Sequence, residues 1–140
     1  MREIGDYAFS GAGLESIYFG LNSELRTIRQ GVFNECKDLR SIAVPANVEV
    51  IESFAFRESG LVSLICAQNS RLARIKEQAF VGCANFNNVE LPLSVEIEDS
   101  AFDGCFQLNA NLFESSAEFK RVTGWTVEKW WNSKFDGHRK

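Results

Sequence analysis

Two apolar patterns recur along the chain with a common period. The first reads Ile-x-x-x-Ala/Val-Phe, and its Phe residues are 24, 23, 24 and 22 positions apart: Phe9, Phe33, Phe56, Phe80 and Phe102. The second reads L-x-x-L-x-L-x-x-N and lies between copies of the first, as in Leu39-x-x-Ile42-x-Val44-x-x-Asn47. A period of this length indicates a solenoid, because one repeat alone cannot bury its apolar side and must stack on its neighbours.

The second pattern predicts one short parallel strand in each repeat. Its first, fourth and sixth residues are expected to point into the core, and its copies begin at Leu14, Leu39, Leu61, Phe86 and Leu108. The ninth residue lies where the strand ends, and an Asn side chain there can bond backbone groups of the turn. We therefore expect a polar ladder of Asn22, Asn47 and Asn69, continued by Ser94 and Ser116.

The strand positions between these inward residues are predicted to form an exposed face. Folding does not demand small or moderately apolar residues there, and such surfaces suit contact with other proteins. The alternative is ordinary strand propensity on a short sheet. We favour binding and predict that a protein partner contacts Ser16, Tyr18, Ser41, Ala43, Ser63, Ile65, Asn88, Glu90 and Leu112.

The first pattern predicts the return side of each repeat. Its Phe residues would form one inner column and its Ile residues a second: Ile4, Ile28, Ile51, Ile75 and Ile97. Both patterns together predict an α/β repeat solenoid over residues 1–114, right-handed, with a short parallel sheet on one face and about five repeats of 22–25 residues.

Residues 115–140 differ from the repeats and are predicted to form a C-terminal helical cap. Ser115-Ser116-Ala117-Glu118 is a capping-box pattern that can begin a helix. Val127, Trp130, Trp131 and Phe135 then fall on one face of a second helix. A cap would cover the open end of the solenoid. The alternative is a Trp-rich helix that itself contacts a partner or a membrane surface.

The chain begins inside a repeat, at its Ile-Gly-x-x-Ala-Phe half, without the strand that should precede it. We therefore hypothesise that it is a section of a longer repeat protein.

The repeat resembles the BspA-like leucine-rich-repeat family. The segment from Phe33 through Cys36, Leu39, Ile42 and Val44 to Pro45 is similar to the family's unit almost position by position. The resemblance implies a leucine-rich-repeat solenoid. It also implies a protein-binding role of the surface-antigen or adhesin type, with a cell-surface or extracellular location and host matrix proteins among the partners. The chain itself contains no signal peptide.

The charge distribution narrows the class of partner. Residues 1–116 carry 9 Lys and Arg against 16 Asp and Glu, whereas residues 117–140 carry 6 against 3. An acidic body argues against nucleic acid, because phosphate binding requires a basic face. No apolar run approaches the length of a transmembrane segment.

Residues capable of catalysis or metal binding have simpler interpretations. Three of the four cysteines follow the column Phe by three positions, which suggests small core residues, not a disulfide, a nucleophile or a metal site. The acidic cluster of Glu96, Glu98, Asp99 and Asp103 is interpreted as a solvated turn. The only histidine, His138, has no repeat to position it. We predict no catalytic, cofactor or metal site.

The sequence therefore favours a non-enzymatic protein-binding module. One alternative is a structural spacer or regulatory repeat region of a larger protein, with the tail making the contact. Another is a domain attached to an enzyme whose catalytic part lies elsewhere. The oligomeric state stays open.

Overall fold

The structure, a computed structural model, describes residues 2–92, 95–98, 100–105 and 107–108. Within these residues the chain forms strands and turns without a helix: β1 (Thr27–Ile28), β2 (Ser41–Val44), β3 (Val50–Ile51), β4 (Ser63–Cys66), β5 (Arg74–Ile75), β6 (Asn88–Glu90) and β7 (Glu96–Ile97). Odd-numbered strands pair in one sheet and even-numbered strands in another, all in parallel. Each repeat, here called a rung of the stack, supplies one strand to each sheet from β1 to β6, whereas the first rung, over residues 2–26, has no strand.

The even-numbered strands form the sheet that the L-x-x-L-x-L pattern predicts, here called the long-strand sheet. Ile42 pairs with Leu64 and Leu64 with Val89, so the fourth residues of the motif form one column. All three are buried, and residues on either side of them in each strand point outward. The predicted strands and their register are confirmed for these three rungs.

The odd-numbered strands form a second, short-strand sheet on the return side. Each has two residues, of which the second is the Ile of the first sequence pattern: Ile28, Ile51, Ile75 and Ile97. These isoleucines are aligned by pairing, so the predicted inner Ile column is confirmed from β1 to β7. The prediction of a sheet on one face only was incomplete, because two residues per rung suffice to continue a parallel ladder.

Between the two sheets, each rung crosses a turn face built on a regular backbone pattern. The residues two before and two after the column Phe have a positive φ, as at Phe54 (61°) and Glu58 (51°) around Phe56. Amide groups alternate: Phe33 donates to the Ala55 carbonyl of the next rung, whereas Asn34 donates to the Gly31 carbonyl of its own rung. Every second amide thus joins adjacent rungs, and the others close tight turns.

This turn face corrects the α/β class predicted from the sequence. A left-handed residue on both sides of the Phe prevents a continuous right-handed helix, so the described return segments are turns and short strands. The predicted cap over 115–140 lies outside the described residues.

The core lies between the three faces and is dominated by stacked aromatic rings. Successive rings of the Phe column are 6.0, 5.3, 5.1 and 5.2 Å apart between centroids and are nearly parallel. Phe86, at the start of the fourth strand motif, adds a ring 5.1 Å from Phe80. One aromatic residue per rung therefore forms a continuous column along the solenoid.

Of the three asparagines predicted to form a ladder, one bonds the backbone, while Ser94 and Ser116 lie outside the described residues. The Asn47 side-chain amide donates to the Ser23 carbonyl of the preceding rung at 3.0 Å. Asn22 and Asn69 are exposed and make no hydrogen bond within the described part of the chain. Serine hydroxyls bond the backbone in the turns after the strand motif instead. Ser23 and Ser70 each accept a hydrogen bond from the backbone amide two residues later.

A candidate protein-interaction face

The outward face of the long-strand sheet brings six of the nine predicted contact residues together. Strand pairing aligns Ser41, Ser63 and Asn88 in one column. It aligns Ala43, Ile65 and Glu90 in a second column. Since neighbouring strands are about 4.8 Å apart, each column is a line of closely spaced side chains. The sequence therefore located these residues in the fold, and their contact with a partner stays a prediction.

The other three predicted contact residues have different positions. Ser16 and Tyr18 belong to the first rung, where residues 14–20 run without strand structure. Ile17 and Phe19 pack against the core, so Tyr18 between them points outward and is 80% exposed. Leu112 lies outside the described residues.

Leu21 is an exposed apolar residue that the sequence analysis missed. Leu21 is 92% exposed, compared with 80% for Tyr18 and 43% for Ile65. It follows the inward positions of the first strand motif, where the second and third copies have Ala46 and Gln68. The available signal was an apolar residue outside the inward set. Leu21 lies in the turn that follows Tyr18 in the first rung.

The short-strand side of the solenoid is, by contrast, occupied by ion pairs between rungs. Arg26 pairs with Glu49 and Arg74 with Glu96, each at 3.1 Å. Arg29 pairs with two acidic residues of the first rung, and the hydrogen bond to Asp6 raises the pKa of its guanidinium. Several charges on this side are therefore matched within the chain, although Glu52 and Lys76 have no ion pair among the described residues.

The long-strand face carries little charge. Its six aligned outward residues include one ionisable group, the Glu90 carboxylate. Arg40, just before β2, directs its guanidinium to the Lys37 carbonyl at 2.6 Å and the Gly60 carbonyl at 3.3 Å. The two sides of the solenoid thus differ: one carries ion pairs between its rungs, and the other presents mainly small, apolar and hydroxyl side chains to solvent.

Three of the four cysteines are buried core residues whose thiols form hydrogen bonds to the backbone, and the fourth, Cys66, is partly buried. The thiols of Cys36, Cys83 and Cys105 donate to the carbonyl of the Phe in the preceding rung, at 3.1, 2.9 and 3.2 Å. In the described part of the chain no cysteine forms a disulfide. Burial raises the pKa of Cys36, and it raises that of Cys66 to about 11. The thiols of Cys36 and Cys66 are therefore protonated near neutral pH, which suits packing more than nucleophilic chemistry. A hydrogen bond with Cys105 instead lowers the pKa of the Cys83 thiol.

The described residues lack two other kinds of feature. They contain no group of three or more His, Cys, Asp or Glu placed to hold a metal ion. Nor do they contain a helix with the length and apolar character that crossing a bilayer requires.

Comparison with known proteins is consistent with this architecture. A family model described as BspA type leucine rich repeat region matches residues 2–123 with 6 copies. The fold is similar to the crystal structure of a leucine-rich repeat protein from Bacteroides ovatus, with a TM-score of 0.66 and 28% sequence identity. That alignment covers 77% of this chain but 28% of the other, so this chain spans just over a quarter of that protein. No curated protein matches the chain.

The family match covers most of the chain, and its repeat agrees with the strand ladders, the Ile column and the Phe column of the structure. The chain therefore belongs to the BspA-type leucine-rich-repeat family.

Proposed function

We propose that this chain is a non-enzymatic protein-binding module whose contact surface is the outward face of the long-strand sheet. The surface comprises the predicted columns of Ser41, Ser63 and Asn88 and of Ala43, Ile65 and Glu90. Tyr18 and Leu21 extend it at the first rung.

One observation carries this proposal, namely the contrast between the two sides of the solenoid. Ion pairs between rungs occupy the short-strand side, so a partner would have to compete with charges that are already matched. The long-strand face offers exposed apolar groups at Tyr18, Leu21 and Ile65 beside hydroxyl and amide groups. Interfaces of proteins combine these features, with aromatic residues supplying a large share of the binding energy.

Affinity capture with matched variants tests the proposal. The intact chain is immobilised and exposed to extract from its native source, and bound proteins are quantified by mass spectrometry. Tyr18→Ala and Ile65→Ser should each reduce capture of the same proteins. We expect a loss of about 1–3 kcal/mol in binding free energy at Tyr18 once a purified partner is titrated.

Val50→Ser is the control for Ile65→Ser. Val50 is the outward residue of β3 on the short-strand side, and the change removes the same kind of apolar surface. It should leave capture unchanged. Equal losses for both variants, or no loss for the long-strand variants at unchanged melting temperature, would reject this face as the contact surface.

A finer proposal follows from the family: the partner is a host matrix protein and the role is adhesion at a cell surface. Binding of the intact chain to immobilised matrix proteins tests it, with Ile65→Ser and Val50→Ser compared as before. Capture of proteins from the producing cell alone, without binding to matrix proteins, would favour the alternative of a spacer or regulatory repeat region.

A further inference from the structure

Glu90 is the acidic residue of the long-strand face, and it has no cationic partner among the described residues. Several acidic side chains on the short-strand side pair with arginine within the stack, as Glu49 does with Arg26 and Glu96 with Arg74. Across the described residues, no Lys or Arg lies within ion-pair distance of Glu90, although its position on β6 is exposed. The carboxylate is therefore available to a cation from outside the chain.

The surface next to Glu90 is apolar in one direction along its column. Ile65 is its direct neighbour on β4, and Ala43 follows on β2. The Ile65 side chain is 43% exposed, and Ala43 is small and exposed. At about 4.8 Å per strand, the column is an apolar strip of roughly 5–10 Å that ends at a carboxylate.

A long cationic side chain matches this strip in both length and chemistry. The methylene groups of arginine or lysine pack on apolar surface while the charged end reaches a polar partner. Arginine adds two parallel N–H groups that suit a carboxylate. The excess of acidic over basic residues in positions 1–116, 16 against 9, would also attract a basic partner over a longer range.

We propose that the long-strand face recognises a protruding arginine or lysine of its partner protein, packed on Ile65 and paired with Glu90. This inference rests on the proposed function and specifies the chemistry of the partner at the same face. Ser63 and Asn88, in the adjacent column, provide hydrogen-bonding groups for the partner's backbone beside that side chain.

Selection from a phage-displayed library of random peptides tests the inference without knowledge of the natural partner. The intact chain should enrich peptides that contain Arg or Lys. Glu90→Gln should lose this enrichment, and Glu90→Lys should enrich Asp or Glu instead. Glu52→Gln is the matched control, because Glu52 also lacks an ion pair in the described residues but follows β3 on the other side.

A synthetic peptide from the selection provides the quantitative measurement. Glu90→Gln should weaken its binding about two- to fivefold, the size expected for an exposed charge pair. Added NaCl should weaken binding to the native chain more than binding to the variant, because the pair is screened by salt. Equal affinity and equal salt dependence would overturn the role of Glu90.

Two blocking variants separate failure of this inference from failure of the proposed function. Ala43→Arg and Ile65→Ser change the face without touching the core. If they abolish binding of selected peptides that show no preference for Arg or Lys, the face binds proteins by other chemistry and the inference is wrong. If selected peptides bind both variants as well as the native chain, or if the library shows no enrichment, both proposals are overturned.

Discussion

Two residues of the Phe column illustrate how the position of a side chain along the stack determines its contribution to stability. Phe56 has a ring on each side, 5.3 Å from Phe33 and 5.1 Å from Phe80, and is fully buried. Phe9 stacks on Phe33 alone, at 6.0 Å, and is half-buried. The same residue type therefore makes unequal contacts in the interior of the solenoid and at its first rung.

Truncation of these two side chains should have unequal effects on stability. Phe56→Ala should lower the free energy of unfolding by about 3–5 kcal/mol, because it leaves a cavity between two rings. Phe9→Ala should cost about 1–2 kcal/mol, since part of its surface is already in water. Urea denaturation of both variants measures the difference, and similar losses would contradict the one-dimensional stack.

The Cys66 thiol should show a pH dependence that follows from its raised pKa. Its pKa is about 11 in the folded chain against an ordinary value of 9.0, so the folded state favours the protonated thiol. This contribution to stability is complete below about pH 9 and is lost as the pH rises through about 11. Iodoacetamide should modify Cys66 slowly at pH 8 and much faster near pH 11, as mass spectrometry can follow.

Cys66→Ala provides the thermodynamic control. The native chain should lose more unfolding free energy than this variant between about pH 9 and 11. Rapid modification at pH 8, with a rate that levels off near pH 9, would show that burial does not protect this thiol.

Among the elements, the strands of the long-strand sheet were predictable and the rest of each rung was less so. In Leu39–Val44, the pattern Leu-x-x-Ile-x-Val directs its apolar residues into the core in one strand register only. The structure has that register. The short-strand sheet has one inward residue per strand, too few to produce an alternating pattern. The turn face could not be predicted from the sequence, because four of its positive-φ residues are not glycine: Tyr7, Phe54, Gln78 and Ser100.

Replacing a strained residue of the turn face should stabilise the chain. Gln78 is exposed and has φ of 61°, a conformation that costs a non-glycine residue roughly 1–2 kcal/mol. Gln78→Gly removes this cost but adds about 0.5–1 kcal/mol of backbone entropy in the unfolded state, so we expect a gain of up to about 1 kcal/mol. The melting temperature measures it.

The adjacent residue is the control for this change. Glu77 is also exposed but does not have a positive φ, so Glu77→Gly should lower stability through the entropy term alone. A loss of stability at Gln78 equal to that at Glu77 would indicate that the positive φ carries no strain.

For the whole molecule, packing along the axis should outweigh surface electrostatics. The ion pairs between rungs are exposed, with side-chain exposures from 36% to 83%. Exposed pairs contribute roughly 0.2–1 kcal/mol each and are screened by salt. Raising NaCl from about 0.05 to 0.5 M should therefore lower the free energy of unfolding by less than about 2 kcal/mol. A larger loss, measured by urea titration, would assign the ion pairs a main role.

The candidate site was predictable to the extent that it depends on strand alternation. Six of the nine predicted contact residues follow from the register of β2, β4 and β6. The ion pairs that distinguish the two sides were not predictable from the sequence. They join residues 22 to 26 positions apart, and whether such residues meet depends on the lengths of the turns between them. Leu21 was missed for a similar reason, since it lies in a corner where no alternating pattern applies.

The alternating amides give the turn face an electrical polarity of its own, since backbone bonds beside the two sheets also run in the opposite direction, as from Glu49 to Arg26. On the turn face, each bond between rungs runs the same way: Phe9 donates to Val32, Phe33 to Ala55 and Phe56 to Ala79, from the earlier rung to the later. Aligned peptide dipoles add along a common axis, as they do in an α-helix. The turn face therefore has its negative end at the first rung and its positive end at the last, and lengthening the stack would separate these ends without enlarging their charge.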